Sequence, residues 1–320
     1  MAIITTGAID VHAHYLPPSY RTALARAGVK RPDGFPHVPS WSAASAIALM
    51  DAAAIAAALL SVSSPGLHFL PARARPELAR AVNTEGADAV HAYPRRLGLL
   101  ASLPLPHIDA ALKEIEHAVD ELRADGFVLM SNYDGVYLGD PRLEPVMDEL
   151  DRRGALVTIH PTSPAAAEAT DLGRPRPMLE FPFDTARAVV NLILSGTLER
   201  HRGIRVIVPH FGSALPVLAD RVQGFASAFS EEAPDVFAAL RSLWFDVAGD
   251  PFPNALAALV RIAGPDRILY GSDTPFAPPS VIARWSRGLR ETEIISEEQR
   301  AGLLRDNALG LVPRLAGGSA

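Results

Sequence analysis

The sequence contains no cysteine. Disulfide bonds and thiolate metal sites are therefore excluded, and any bound metal ion must be held by histidine, aspartate or glutamate. These nitrogen and oxygen donors suit zinc, manganese or magnesium better than copper(I) or an iron–sulfur cluster. The absence of cysteine thus limits the metal chemistry that the chain can support.

Lysine is almost as scarce, since Lys30 and Lys113 are the only two and arginine supplies the other basic residues. The arginines are scattered among acids, and the formal net charge is −6. A chain with this charge and no basic run lacks the electrostatic pattern of a nucleic-acid-binding protein. Long apolar runs are missing too, because the most apolar window is far shorter than the ~18 residues that a membrane span needs.

Residues 1–6 lack the basic start and the apolar core of a secretory signal. The 320 residues are 48% apolar and 21% charged, which is ordinary for a soluble globular protein. We therefore expect a cytoplasmic protein that acts on a small molecule and binds neither a membrane nor nucleic acid.

Short apolar runs alternate with longer helix-like segments along the chain. The runs show little polar alternation, as is typical of strands covered on both faces. The segments between them repeat apolar residues every three or four positions, as at Ile115, Val119 and Leu122. Predicted strands lie at 8–11, 57–62, 97–103, 127–130, 156–159, 205–208, 243–245 and 268–270. Eight such units predict one α/β domain over residues 1–320, a (β/α)8 TIM barrel.

An open, doubly wound sheet is the alternative fold, but the glycine-rich phosphate turn expected after its first strand is missing. Two stretches rich in proline and glycine, 17–41 and 160–183, interrupt the alternation of strands and helices. We expect them to be loop insertions that lie over the functional site.

Ionisable side chains follow several of the predicted strands. His12 and His14 lie two positions apart, so they project to one face if their run is a strand. Later strands are followed by His160, His210, Asp246 and Asp273. Because the carboxyl ends of barrel strands meet at one face, we expect these six side chains to lie close together.

Four of these side chains form the predicted metal site: His12, His14, His160 and Asp273. Imidazole and carboxylate ligands with open positions are typical of a catalytic ion, and we expect Zn²⁺, with Mn²⁺ or Mg²⁺ as alternatives. His210 is the predicted acid–base group, because the ordinary pKa of histidine lies near neutrality. Asp246 is predicted to support a metal-bound imidazole.

Taken singly, these residues have structural explanations. His160 or His210 could be a hydrogen-bonded core histidine, and Asp273 could cap a helix. Their joint occurrence at the ends of strands favours the metal site.

Four motifs span nearly the whole chain. They are D-V-H-A-H at 10–14, L-V-T-I-H-P at 156–161, P-H-F-G-S-A-L-P at 209–216 and G-S-D-T-P-F at 271–276. They resemble the metal-dependent amidohydrolase superfamily, and in particular its amidohydrolase 2 branch, which includes 2-amino-3-carboxymuconate-6-semialdehyde decarboxylase. The stretches 61–66, 101–106 and 132–135 are similar to 6-methylsalicylate decarboxylase-like members of the branch. The resemblance implies one divalent ion on the predicted ligands, catalytic roles for His210 and Asp273, and a homodimer.

Two further features refine the resemblance. Two-metal members of the superfamily bridge their ions with a carboxylated lysine at the end of the fourth strand, and residues 127–131 contain no lysine. We therefore expect one ion. The branch usually has a run of glycines after the last histidine, which Phe211 and Ser213 interrupt here. Because of this departure, the resemblance does not predict the shape of the pocket beside these two residues.

The expected substrate is a small hydroxybenzoate-like or unsaturated carboxylic acid. Polar and aromatic residues near the strand ends are candidates for binding it, although each could equally be a surface or packing residue. These candidates are Arg187, Asn132, Tyr133, His68 and Phe276.

Three functions fit these residues. The first is a metal-dependent, non-oxidative decarboxylase, that is, a carboxy-lyase. The second is a hydrolase of a lactone, amide or carbon–carbon bond, or a hydratase, which would use the same ion to activate water. The third is a non-catalytic binding barrel, which the clustered ligands do not favour.

Overall fold

The computed structural model describes residues 7–317. The prediction about a secretory signal concerns residues 1–6, which lie outside the described residues. Eight strands form one parallel sheet in which each strand pairs with the next in chain order. They are β1 (Ala8–His14), β2 (Ile55–Ser61), β3 (Leu97–Ser102), β4 (Gly126–Met130), β5 (Leu156–His160), β6 (Arg205–Val208), β7 (Trp244–Asp246) and β8 (Ile268–Leu269).

The last strand returns to the first and nearly closes the sheet. The amide of Val11 donates to the carbonyl of Tyr270 (2.9 Å), and the amide of Asp273 donates to the carbonyl of His12 (2.8 Å). The predicted (β/α)8 barrel is therefore confirmed.

Helices follow the strands and pack around them. They are α1 (Pro18–Arg26), α2 (Ala43–Ala52), α3 (Arg75–Ala92), α4 (Ile108–Asp120), α5 (Glu144–Arg152), α6 (Ala167–Thr170), α7 (Glu180–Leu194), α8 (Thr197–Arg200), α9 (Leu215–Phe229), α10 (Val236–Ser242), α11 (Ala255–Ala263), α12 (Pro279–Glu291), α13 (Glu297–Ala301) and α14 (Asn307–Leu311). Within residues 7–317, no helix has the length and hydrophobicity that crossing a bilayer would require.

The strands are apolar because both of their faces are buried. All seven residues of β1 and all five of β4 and β5 are buried. Close strand packing also explains Gly126 at the start of β4, since a Cβ there would collide with the carbonyl oxygen of Leu156 on β5. The buried sheet provides a rigid base for the side chains at its carboxyl edge.

The two insertions contain more regular structure than their composition suggests. Residues 17–41 include α1 and a 3₁₀ turn at Pro32–Gly34, and residues 160–183 include α6 and a 3₁₀ turn at Arg176–Met178. Helix α7 begins at Glu180, and the proline at position 182 falls in its first turn, where proline is tolerated.

Candidate metal centre and active site

Three imidazoles converge at the carboxyl edge of the barrel. His12 and His14 lie on the same face of β1, and His160 ends β5. One ring nitrogen from each lies within 4.8 Å of the others. The three residues are 1–3% exposed. Strand periodicity and barrel closure thus place donors from two distant parts of the sequence around one point.

Hydrogen bonds at Nδ1 orient the two imidazoles of β1. His12 Nδ1 lies 2.8 Å from a carboxylate oxygen of Asp246, and His14 Nδ1 lies 3.0 Å from the hydroxyl and 3.2 Å from the carbonyl oxygen of Ser61. A carboxylate or carbonyl oxygen accepts a hydrogen bond from Nδ1–H, which leaves the lone pair on Nε2 facing the centre.

His160 is held in the same way, since its Nδ1 donates to the carbonyl of Pro161 at 2.7 Å. Its Nε2 lies 3.4 Å from the hydroxyl of Ser63. The third imidazole therefore also presents Nε2 to the shared point.

Asp273 completes the group of four predicted ligands. Its backbone has φ 59°, and its Oδ1 lies 3.2 Å from His14 Nε2 and 3.8 Å from His12 Nε2. Burial alone would raise the pKa of the Asp273 carboxyl, but its close contact with His14 and the charges of the imidazoles lower it. Asp273 therefore offers an ionised oxygen beside the three nitrogens.

The four residues fit a divalent cation. The Nε2 atoms of His12 and His14 are buried without a hydrogen-bond partner, which is costly unless another group accepts their lone pairs. Burial would lower the pKa of His12, but the carboxylates around it, led by that of Asp246, raise it to about 9. These carboxylates favour a positive charge at His12, and the four residues together supply the donors that zinc or manganese prefers.

Asp246 connects the metal centre to His210. One of its carboxylate oxygens binds His12, and the other accepts from the amides of His210 (3.1 Å) and Ala248 (3.0 Å). Burial would raise the pKa of Asp246, but the charge of His12 and the hydrogen bond to it lower that pKa. One buried carboxylate thus orients a candidate ligand and anchors the turn that carries the candidate acid–base group.

His210 lies at the start of an unusual turn after β6. His210, Phe211, Gly212 and Ser213 have φ values of 56°, 59°, 71° and 57°, a region that favours glycine. Glycine adopts this backbone most readily, and here Phe211 and Ser213 adopt it as well. Strained backbone of this kind persists where the surroundings hold it, often at functional sites.

The His210 ring faces the metal centre, with its centroid 4.9 Å from that of His12. Burial and the positive charge of His12 lower the pKa of His210 to about 4. The imidazole is therefore neutral near pH 7 and is able to accept or relay a proton.

A cavity of about 320 Å³ opens beside these groups. Both insertions contribute to its wall, and apolar residues dominate it. It is lined by Pro32, Asp33, Phe35, Ser63, Ser64, His160, Pro177, Phe181, Pro182, His210, Phe211, Ala248, Gly249, Asp250, Asp273 and Phe276. Its size and mostly apolar wall suit a small aromatic molecule. Phe276 is the one predicted substrate-binding residue that the structure places on this wall.

The other four candidates for substrate binding lie elsewhere. Arg187 projects outward, with a side chain 52% exposed and 3.6 Å from Asp184. The side-chain amide of Asn132 donates to the carboxylate of Asp184 at 2.8 Å. Neither residue lines this cavity and both contact the same buried carboxylate, so their role in substrate binding stays a prediction.

Tyr133 and His68 also point away from the cavity. The Tyr133 hydroxyl accepts a hydrogen bond from the amide of Met130 (3.0 Å). The rings of His68 and Tyr133 pack edge to face, with centroids 5.2 Å apart. Burial and the nearby Arg75 lower the pKa of His68 to about 4. Asn132–Tyr133 and Val136–Tyr137 form a short hairpin after β4. The sequence pattern did not reveal this hairpin.

Sequence reasoning missed three wall residues supplied by loops and helix starts: Asp33, Phe35 and Phe181. Asp33 lies in a Pro-Asp-Gly stretch that reads as an ordinary turn. The two phenylalanines lie outside the strand-end pattern. No local sequence signal identifies them, because their position depends on how the insertions fold over the barrel.

A nearly closed parallel barrel with three histidines and one aspartate at its carboxyl face defines the class of (β/α)8 proteins with a candidate metal site at that face. The chain belongs to the amidohydrolase family, whose sequence profile matches residues 9–314.

Three comparisons place the chain within this family. It is 36% identical to the 6-methylsalicylic acid decarboxylase of Penicillium expansum, over 97% of each chain. It is 28% identical to the gamma-resorcylate decarboxylase of Rhodococcus jostii, over 82% of this chain and 85% of that one. A crystal structure of an amidohydrolase II is 36% identical and superposes with a TM-score of 0.91, covering 96% of this chain and 99% of that one.

Proposed function

We propose that this protein is a metal-dependent, non-oxidative decarboxylase of a small hydroxybenzoate-like acid. The observation that carries the proposal is the convergence of three imidazoles, two of them with an unpartnered Nε2, and of Asp273 beside a mostly apolar cavity. Relatives support the proposal as well. Two proteins that are 36% and 28% identical over most of the chain are named decarboxylases of such acids.

Four side chains would hold the ion: His12, His14, His160 and Asp273. We propose one Zn²⁺ per chain, with Mn²⁺ or Mg²⁺ as alternatives, because imidazole and carboxylate ligands bind all three ions. When bound, such an ion stabilises negative charge that develops on substrate oxygens during the reaction.

The chain's own residues bind the acid and supply the proton. The phenylalanines of the wall, including Phe276, would pack against the aromatic ring. Loss of CO₂ breaks the bond between the ring carbon and the carboxylate and leaves the electron pair on that carbon, which then takes up one proton. Asp273 and His210 both line the cavity beside the three clustered histidines. We propose that these two residues donate or relay this proton.

The test is a screen for CO₂ release from 6-methylsalicylate and 2,6-dihydroxybenzoate in deuterated solvent, with wild type and His210→Ala. We expect wild type to release CO₂ and to place one deuterium on the ring carbon that carried the carboxylate. His210→Ala should keep its metal and lose most of this activity, by roughly 10²-fold or more. Turnover of a lactone or amide without CO₂ release would instead support the hydrolase alternative.

We also propose a homodimer. Helix α9 exposes Val217 (77%), Phe225 (51%) and Phe229 (82%), and apolar residues of this kind are often covered by a partner. Light scattering of the purified protein tests the assembly. A cytoplasmic location stays a prediction.

A further inference from the structure

The wall of the cavity is acidic as well as apolar. It contains the carboxylates of Asp33, Asp250 and Asp273, and within residues 7–317 no lysine or arginine lines it. In the proposed function, a divalent ion and its ligand Asp273 would together leave one positive charge, which a single substrate carboxylate neutralises. A second carboxylate on the substrate would find no positive side chain on this wall.

Asp33 is the acidic residue most deeply set in the wall away from the metal centre. The residue is 9% exposed, and its carboxylate accepts a short hydrogen bond from the hydroxyl of Ser163. Burial raises the pKa of Asp33 above its ordinary value, and the hydroxyls of Ser163 and Ser64 and the charge of Arg176 offset only part of this rise. The wall therefore holds an acidic side chain that no direct ion pair neutralises.

Arg176 is engaged elsewhere. Its guanidinium donates to Ser163 Oγ at 3.1 Å and pairs with Asp171 at 3.4 Å, so it reaches Asp33 only through the hydroxyl of Ser163. Asp250 differs, because it lies at the exposed rim and pairs with Arg284 at 2.8 Å. Of the two wall acids outside the metal centre, Asp33 is thus the one that has no direct ion pair.

We infer that Asp33 is a specificity-determining residue that restricts the substrate to aromatic monocarboxylates by repelling a second carboxylate. This inference rests on the proposed function, since it assumes that an aromatic acid binds in this cavity. Two like charges in a partly desolvated site repel strongly, which is a common way to reject a wrong ligand. Within the family fold, the charge of one loop residue would then separate monocarboxylate from dicarboxylate substrates.

The test compares isosteric ligands that differ only in charge. Salicylates carrying a carboxylate or a carboxamide at ring position 3, 4, 5 or 6 are titrated into metal-loaded, full-length protein by calorimetry. For wild type, we expect the carboxylate to bind at least about tenfold more weakly than its carboxamide at the ring position that faces Asp33. Asp33→Asn should reduce this ratio about tenfold or more, whereas Asp33→Glu should retain it.

Ser163→Ala is the matched control, because it removes the hydrogen bond that Asp33 accepts and leaves the Asp33 carboxyl group itself in place. It should leave the ratio within about twofold of wild type. The inference is overturned if wild type binds both members of every pair equally or binds neither, if Asp33→Asn leaves the ratio unchanged, or if Ser163→Ala shifts it as far as Asp33→Asn does.

The same samples separate this inference from the proposed function. If salicylates bind with the expected ratio but release no CO₂, the proposed decarboxylase activity fails and the role of Asp33 in ligand selection stands. If CO₂ is released but the binding ratios are flat, only the role of Asp33 fails.

Discussion

Within residues 7–317, two groups of histidine and acidic side chains have the spacing of metal ligands, and they differ in which polar atoms lack a hydrogen-bond partner. The first is the buried group of His12, His14 and His160. The second consists of Glu144 and Asp148 on α5 with His201 after α8. In each, the candidate ligand atoms lie within 4.8 Å of one another, so proximity alone does not distinguish them.

Hydrogen bonding does distinguish them. In the second cluster, Glu144 already binds the guanidinium of Arg200 at 2.7 Å and the imidazole of His201 at 3.0 Å, and Asp148 is 69% exposed. In the first cluster, two buried Nε2 atoms have no hydrogen-bond partner. A buried donor set that the protein leaves unsatisfied indicates a ligand, whereas a surface ion-pair network is complete without one.

The largest expected effect is on the first cluster. His12→Ala should remove the metal ion and reduce kcat/KM for decarboxylation by about 10³-fold or more, because the charge stabilisation in the transition state is lost with the ion. Elemental analysis and CO₂ release measure the two effects.

His201→Ala is the control for the second cluster and should keep both the metal content and the activity of wild type. A variant His201→Ala that lost its metal while His12→Ala kept it would reverse the assignment of the two clusters.

The next largest effect is on the free energy of unfolding, and it concerns a buried carboxylate that accepts several hydrogen bonds. Asp184 on α7 accepts hydrogen bonds from Ser131 and from Asn132 (2.8 Å) after β4, and from Tyr137 (2.5 Å) in the hairpin. Asp184→Asn should lower the free energy of unfolding by about 2–3 kcal/mol, because it leaves buried donors without an acceptor, and it should keep the metal ion. Urea denaturation measures the change.

Arg187→Gln removes the half-exposed partner of the same carboxylate and should cost less than about 1 kcal/mol. It should also leave kcat/KM within about twofold of wild type. A large loss of activity in this variant would restore Arg187 as a substrate-binding residue.

The sequence predicted the barrel and the six rim residues because both follow from regular geometry. Apolar runs marked the strands, and the parallel sheet placed the residues after them at one edge, as it does for His160 and Asp273. The substrate wall was not predictable in this way. Asp33 reaches the cavity only because two insertions pack over the barrel, and Arg187 faces outward because the helical register turns Asp184 inward instead.

Asp246 sharpens the comparison within the first cluster. Asp246→Asn should weaken metal binding about 10- to 100-fold, because the carboxylate holds the Nδ1 proton of His12 and increases the basicity of Nε2. Competition with a chelator measures the affinity. Ser61→Ala is the matched control and should have a smaller effect, because the backbone carbonyl of Ser61 still accepts from His14. Equal losses in the two variants would show that the charge of Asp246 has no special role.

The smallest expected effect tests whether the second cluster is only an ion-pair network. The hydrogen bond from Arg200, helped by His201, lowers the pKa of Glu144 from 4.5 to about 2. A carboxylate with a depressed pKa stabilises the fold above its unfolded pKa, and this contribution is lost as the pH falls from 4.5 towards 2. Because the side chain of Glu144 is 29% exposed, we expect Glu144→Gln to cost less than about 1 kcal/mol at pH 7. In urea denaturation at decreasing pH, the difference between wild type and Glu144→Gln should shrink below pH 4.5, and a difference that grew on acidification would contradict the ion-pair assignment.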